Sequence, residues 1–508
     1  MFRLALVICL ALNAFAASAS DVPRPPGLEP AVQFWTRVYT EVSTQQGYIH
    51  DAFNLAAVYQ TLAFPPGLSP AQQNRLIEDN KQQHQRALRA LGSGKRTGLS
   101  PLEVSVQKAW PTGTDSRTFL QAADNVRFQR GQADRFRDGL VRSGQWRPHI
   151  RAVLAQYGLP LELDVLPHVE SSFNPRAYSK VAAAGMWQFM PATAQRYMLV
   201  DTIVDQRMDP YVSTEAAAKL LQQNFRATGS WPLAITAYNI GAGGMLRATR
   251  EMATTDIETI VKQYRGPNFG FASRNFYTSF LAALEVDRNA SKYFGKVQPA
   301  APLAYDTVVT THYVPAAALA RTAGVDVEVL RRYNPSLREP VWTGEKHIPK
   351  GFQIRLPQDQ RPVALSTALA SVPAGSRFDY QQPDVLHRIA SGESLSTIAR
   401  RYQTSVATLM SLNGIRDAHR IRAGQELRLP GLRSAPAGGG VLVASVTPKP
   451  ARSAPTRAAD VYVIRPGDSL WQIARRFNLS QQDLAAWNDL TKPHKIKPGQ
   501  VLRLASLD

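Results

Sequence analysis

The chain has 508 residues, enough for several domains with buried cores. It carries 59 Lys and Arg against 39 Asp and Glu, a formal net charge of +20, which suits a polyanionic partner: nucleic acid, a cell-wall polymer or an anionic membrane surface. A single cysteine, Cys9, excludes a fold stapled by internal disulfides.

The start reads MFRLALVICLALNAFAASAS. Arg3, the apolar run 4–15 and the small residues Ala17, Ser18 and Ala19 predict a removable secretory signal over 1–19. An N-terminal anchor helix is the lesser alternative, because the run is short for spanning a bilayer. Cys9 lies inside this segment, so the mature chain would hold no cysteine and would rely on its cores. A secreted destination, the periplasm or cell envelope, favours wall polymers over nucleic acid as the partner. Envelope proteins and peripheral membrane contact are compatible with the same charge.

Residues 21–30 are proline-rich and read as extended. Between 32 and 62 apolar residues recur at helical spacing: Val32, Phe34, Trp35, Val38, Tyr39 and Val42, then Ile49, Phe53, Leu55, Val58 and Tyr59. Pro65, Pro66, Gly67 and Pro70 interrupt the pattern. A Gln-rich helix follows over 71–91, a loop over 92–100, and two amphipathic helices over 118–157 with Trp146 and Pro148 near their joint. Residues 20–150 show no catalytic constellation. They read as an all-helical wrap on the next domain, or as a partner-binding segment.

Residues 151–298 read as helices with short loops. Pro167 is expected to kink or start a helix, placing Glu170 near a helix end. A second helix is expected from Pro191, and a strong amphipathic helix over 212–225. Within this domain, residues 168–194 read HVESSFNPRAYSKVAAAGMWQFMPATA and hold a single acid, Glu170. An acid enclosed by apolar and aromatic residues is poorly solvated, stays protonated near neutral pH and can donate a proton. That property suits cleavage of a glycosidic bond. Glu162 and Asp164 lie nearby but read as structural or solvated.

The spaced residues Glu170, Ser171, Phe173, Asn174, Pro175, Ser179, Gly185, Met186, Trp187, Gln188, Phe189, Met190 and Pro191 resemble the signature of the soluble lytic transglycosylase family of peptidoglycan-cleaving enzymes. Ala237-Tyr238-Asn239-Ile240-Gly241 resembles the family's second motif, which lines the sugar cleft. Its glycines do not make a phosphate loop, since the GxGxxG spacing is incomplete and no strand precedes it. The third motif departs from the family pattern: the gapless register puts Phe276 on the expected tyrosine and Tyr277 one place later. The resemblance implies a lysozyme-like, mainly α fold with Glu170 as the catalytic acid and base. Ser171, Ser179, Met186, Gln188, Tyr238, Asn239 and Tyr277 are its implied substrate contacts. Such an enzyme needs no second carboxylate, because the 6-hydroxyl of the muramic acid is the nucleophile. The product is a 1,6-anhydromuramoyl end. A hydrolytic muramidase and a non-catalytic wall-binding or division scaffold are the alternatives. The histidines lack ligand spacing, so neither a metal nor another cofactor is expected.

The last quarter contains a repeat. Gly392, Ser394, Leu395, Ile398, Leu409 and Asn413 recur as Gly467, Ser469, Leu470, Ile473, Leu484 and Asn488, all offset by 75. Glu393 is replaced by Asp468. These copies, 383–430 and 460–505, resemble small α+β LysM modules (strand, helix, helix, strand). The resemblance makes Gly392, Ser394, Leu395, Asn413, Gly467, Asp468, Ser469, Leu470 and Asn488 candidate glycan-binding positions. A weaker copy over 305–358 matches at Leu319, Leu330 and Asn334, offset by 79; it reads as a degenerate module packed on the catalytic domain. The Gly-Asp-Ser-Leu block does not indicate an esterase, because so small a module cannot hold that fold. Segments 359–382 and 431–459 read as flexible linkers. The architecture expected is multidomain: a mainly α lysozyme-like domain with N-terminal helices, followed by LysM modules.

Overall fold

The computed structural model describes residues 22–429, except 360, 361, 383, 384 and 403. In the last module it describes 461–464, 470, 473, 484, 485, 487, 488, 490, 496 and 499–504. The secretory segment and the candidates Gly467, Asp468 and Ser469 lie outside the described residues. No helix among the described residues is long and apolar enough to cross a membrane. The chain divides into two units, Met1–Val441 and Leu442–Asp508.

The N-terminal region is not all-helical. Helix Glu29–Thr40 forms as the spacing predicts, burying Val32, Phe34, Trp35, Val38 and Tyr39. Beyond it, strands Gln46–Asp51, Val58–Ala63 and Val126–Arg130 make an antiparallel sheet with Gln46–Asp51 in the centre. Ile49 faces Gln60 on one side and Phe128 on the other. The apparent helical spacing fails because its apolar members are largely β-branched or aromatic, which suit a pleated surface. A turn also separates them: the Asp51 carboxylate accepts the N–H groups of Phe53 and Asn54, both at 2.7 Å. Helices Pro70–Gly92, Pro101–Lys108 and Ser116–Asp124 enclose a separate core with this sheet, including Ile49, Tyr59, Leu88, Leu91 and Phe119. Ser69 and Ser100 each start a helix with a reciprocal capping box.

Helix Ala133–Gln156 continues through Pro148, where the sequence predicts a joint. Proline removes one helical N–H, so the Gly144 carbonyl loses its ordinary donor. Gly144 has a second constraint: a Cβ there would lie 2.2 Å from the Ala300 carbonyl oxygen. This long helix packs with Pro210–Thr228, Trp231–Ile240, Phe271–Arg288 and the N-terminal Glu29–Thr40 around one core containing Ile150, Leu221, Ile235 and Phe280. That core supports the short helix carrying Glu170.

The three C-terminal copies share a strand–helix–helix–strand plan as far as they are described. Their strand pairs are Tyr305–Val309 with Gln353–Pro357, Val385–Arg388 with Glu426–Leu429, and Val461–Val463 with Val501–Arg503. One asparagine fixes each copy. Asn413 donates to the carbonyls of Leu409 and Arg428, each at 2.8 Å, and accepts the Arg428 N–H at 2.7 Å. Asn488 repeats this with Leu484 and Arg503, and Asn334 with Leu330 and Arg355. The weak copy is therefore built on the same plan.

That copy is joined to the catalytic domain. The Asp205 N–H donates to the Ser336 carbonyl at 2.7 Å, and the Arg338 N–H to the Ile203 carbonyl at 2.9 Å. Arg355 forms an ion pair with Asp209, both side chains almost fully buried. The described part of 359–382 is not a free linker. Helix Leu365–Ala370 returns Leu365, Ala368 and Val372 to the copy's core, and Phe378 pairs with Tyr313. Its alternation of small and apolar residues fills a surface that the short module leaves open.

Candidate active site

Glu170 is carried by the six-residue helix Leu166–Ser171, with Pro167 in its first turn. The helix ends abruptly. Ser172 and Phe173 both take left-handed backbone angles, φ 52° and 56°. Side-chain-bearing residues rarely adopt that region, so the surroundings must hold them there. The Phe173 N–H donates to the Pro167 carbonyl at 3.0 Å, and Arg142 donates twice to the Ser172 carbonyl at 3.0 and 2.8 Å. Phe173 is fully buried against His168, with ring centroids 4.7 Å apart.

A charged network fixes the other side of this helix. His168 Nε2 lies 3.1 Å from Asp287 Oδ1, and Arg147 donates to the same carboxylate at 2.6 and 2.9 Å. Burial opposes the Asp287 charge, but the His168 and Arg147 hydrogen bonds outweigh it and bring the carboxyl down to about 2. Burial keeps His168 below the usual histidine range, so its ring is neutral and donates from Nε2. The ring stacks on Phe136 at 4.1 Å, and a Cβ on Gly139 would lie 2.9 Å from its Nδ1. Two helices, Ala133–Gln156 and Phe271–Arg288, thus converge on the residue two places before Glu170.

Glu170 itself keeps partial solvent access although protein packs around it. Its carboxyl has no hydrogen-bond or ion-pair partner among the described residues, and burial pushes it up to about 8. Tyr39 and Tyr238 sense its charge. Burial first, and then the Glu170 field, raises both phenols above their ordinary value. Among the described residues no second carboxyl acts on Glu170. Glu162 pairs with Arg288 at 3.0 Å, and Asp164 lies 3.8 and 3.6 Å from Arg147 and Arg151.

The loop facing Glu170 is built from the remaining motif residues. Ser171 donates to the Met186 carbonyl at 2.7 Å and accepts the Asn174 N–H, so its hydroxyl ties helix to loop. Ser179 accepts the Ala183 N–H at 2.8 Å and closes the tight turn. Met186 is fully buried. These three candidates shape the cleft through the backbone, and their side chains are engaged or enclosed. Trp187 is core, donating to Thr214 at 2.9 Å. Gln188, with φ 48°, donates to the carbonyls of Gly185 and Ala177 at 2.8 and 3.3 Å; its amide oxygen has no partner among the described residues.

Tyr238 donates to the Trp187 carbonyl at 2.9 Å, and its ring stacks on Phe276 with centroids 6.5 Å apart. Asn239 is exposed; its Oδ1 accepts from Ser273 at 2.7 Å, which leaves its amide N–H groups directed by that bond. Phe276 therefore takes the cleft side of helix Phe271–Arg288. Tyr277 turns the other way, is fully buried, and donates to the Pro23 carbonyl, so it is not a substrate contact. The helix face decides this, because consecutive residues point about 100° apart.

The sequence reading missed the contributions of Tyr39, Asp287 and Arg207. Arg207 donates to the Ala182 and Phe189 carbonyls at 2.7 and 3.1 Å, while Asp205 holds its guanidinium at 2.9 and 2.7 Å. Gly185 has φ 79°, and a Cβ there would lie 1.7 Å from the Arg207 carbonyl oxygen. The Asp-x-Arg spacing was visible, but nothing local indicated which loop it would hold.

In the modules, Asn413 and Asn488 spend both sides of their amides on backbone groups. Leu395 and Leu470 are core, and Ser394 caps helix Leu395–Arg401. Gly392, at φ 85°, makes the preceding turn. These candidates build the module and do not present free side chains to a glycan.

Residues 149–261 match the Transglycosylase SLT domain, and residues 387–430 and 462–505 match the LysM domain. The chain is 26% identical over 459 residues to the membrane-bound lytic murein transglycosylase D of Escherichia coli strain K12, covering 84% of this chain and 93% of that protein. It is 37% identical over 98 residues to a transglycosylase of Enterobacteria phage PRD1, covering 19% of this chain and 35% of the phage protein. Among solved structures, the 70 kDa soluble lytic transglycosylase of Escherichia coli aligns with 49% of this chain and 34% of its own, at 19% identity and a TM-score of 0.24.

Proposed function

We propose that this chain, a lytic murein transglycosylase by its SLT domain and its two LysM domains, cleaves peptidoglycan through Glu170 alone. The observation that carries the reading is a lone carboxyl, raised to about 8 by burial, with no second acid beside it among the described residues. Inverting and most retaining glycosidases need two carboxyls flanking the bond. Here the protonated Glu170 gives its proton to the oxygen linking N-acetylmuramic acid to N-acetylglucosamine. The C1–O bond breaks, and the substrate's 2-acetamido group stabilises the oxocarbenium-like carbon. The Glu170 carboxylate then takes the proton of the 6-hydroxyl as that oxygen bonds to C1. A 1,6-anhydromuramoyl end forms and no water is consumed.

Gln188 offers the sugar its amide oxygen and Asn239 its amide nitrogen, and Tyr238 a ring edge between Phe189 and Phe276. The LysM domains hold the enzyme near glycan and raise its effective concentration there. A secretory segment at 1–19 delivers the chain to the envelope. The test is Glu170→Gln on purified glycan strands. Turnover should fall by about 10²–10⁴-fold, the usual value of acid–base assistance, while strand binding persists. Turnover within twofold of wild type, on the order of experimental scatter beside that expected loss, would remove Glu170 from the mechanism.

A further inference from the structure

A cavity of about 590 Å³ opens at the seam between the catalytic domain and the fixed LysM-like copy. Arg176 and Met208 come from the catalytic side, and Arg331, Arg332, Glu339 and Trp342 from the copy. Arg331 is spent on Glu339 at 2.6 Å and Glu328 at 3.6 Å. Arg176 and Arg332 are exposed, and neither has an acidic partner among the described residues. The Trp342 indole N–H is committed to the Leu337 carbonyl at 2.9 Å, so the ring is held as a wall. Arg176 and Arg332 thus stand without an ion pair in a lining that also holds Arg331, Glu328 and Glu339, a net surplus of one positive charge. Beside the fixed aromatic wall, that surplus matches a ligand with one carboxylate and an aliphatic stem.

The seam does not flex freely, because backbone hydrogen bonds and the Arg355–Asp209 pair fix the copy to the catalytic domain. Arg176 stands in the loop that follows Glu170 and leads into the cleft turn at Ser179. Met208 follows Arg207, whose carbonyl abuts Gly185 of the cleft loop, so a ligand in the cavity borders the cleft that takes the sugar. On a murein strand, the group with free carboxylates is the peptide carried by the muramic acid lactyl ether.

We propose that this cavity binds a carboxylate of that peptide, with Arg176 and Arg332 as its donors. The inference rests on the transglycosylase reading for its ligand. The cavity, not the LysM domains, would then distinguish peptide-bearing from bare strands, and the weak copy would serve specificity.

Two measurements test this on the full chain. The first compares wild type with the double variant Arg176→Gln, Arg332→Gln on peptide-bearing strands and on the same strands stripped by an amidase. The expected result is a KM raised roughly tenfold or more on peptide-bearing strands only, with kcat unchanged, since each charge-assisted hydrogen bond lost is worth about a factor of ten. Equal KM values for the two proteins on peptide-bearing strands, or an equal rise on stripped strands, overturn the proposal. The second titrates a soluble stem tripeptide against each protein by calorimetry and needs no turnover. Wild type should bind, and the double variant at least roughly tenfold more weakly. No wild-type binding at millimolar peptide, or equal binding by both, overturns it. Absence of cleavage of both strand types by wild type, with peptide binding intact, would fault the transglycosylase reading and leave the anion site supported.

Discussion

The acidity of Glu170 is set by what is missing around it. No cation or hydrogen-bond donor among the described residues stabilises its charged form, and burial alone raises it to about 8. Two pH effects follow. In the proposed mechanism Glu170 must be protonated at the start of the reaction, so kcat/KM should fall as pH rises through about 8, and the pH–rate profile reads this limb directly. The second effect is on stability. The folded carboxyl holds its proton more tightly than the unfolded one, whose ordinary value is 4.5. Its contribution is therefore fully present below 4.5 and is lost as pH rises through about 8. Glu170→Gln cannot ionise, so it should be more stable than wild type above the folded value, by on the order of 2 kcal/mol after discounting for cleft solvent. The two proteins should converge near the unfolded value, as urea denaturation at each pH will show; a constant difference contradicts the burial account. The acid was legible because its motif is local and rigidly spaced. The phenol was not: choosing between Phe276 and Tyr277 needs the face on which helix Phe271–Arg288 packs.

At the scale of elements, a buried arginine holds the cleft loop in place. Arg207 bonds two carbonyls of the loop and its guanidinium is neutralised by Asp205. Arg207→Ala would leave Asp205 buried without its counter-ion, which costs about 3–5 kcal/mol. Denaturant unfolding should show that loss, and kcat/KM should fall because Gln188 loses its support. An unchanged unfolding midpoint would mean that the loop is held elsewhere. Helix periodicity was a sound guide where one continuous face is buried, as in Glu29–Thr40 and Pro210–Thr228. It misled over 46–63, where β-branched and aromatic residues spaced by chance like a helix form two strands around an Asp51 turn. It also predicted a joint at Pro148, where tertiary packing carries one long helix through.

On the scale of the whole molecule, the weak repeat and the segment after it have become part of the catalytic body. Arg355→Ala would strand Asp209, which also caps helix Pro210–Thr228 through the N–H groups of Tyr211 and Val212. Those two bonds moderate the loss to about 3 kcal/mol. Calorimetry should show the catalytic domain and the copy melting earlier together; an unshifted transition would mean that the ion pair does not join them. The sequence offset of 79 exposed the copy, and its packing on the catalytic domain was expected, but the contacts that make it, Asp205 with Ser336 and Asp209 with Arg355, join distant stretches that no local pattern records. The central claim is that one carboxyl cuts the strand without water. Digestion in water enriched with heavy oxygen, read by mass spectrometry of the new muramic ends, tests it most directly. The account predicts ends lighter by one water and free of the label. Labelled reducing ends would contradict it and make the enzyme a hydrolase.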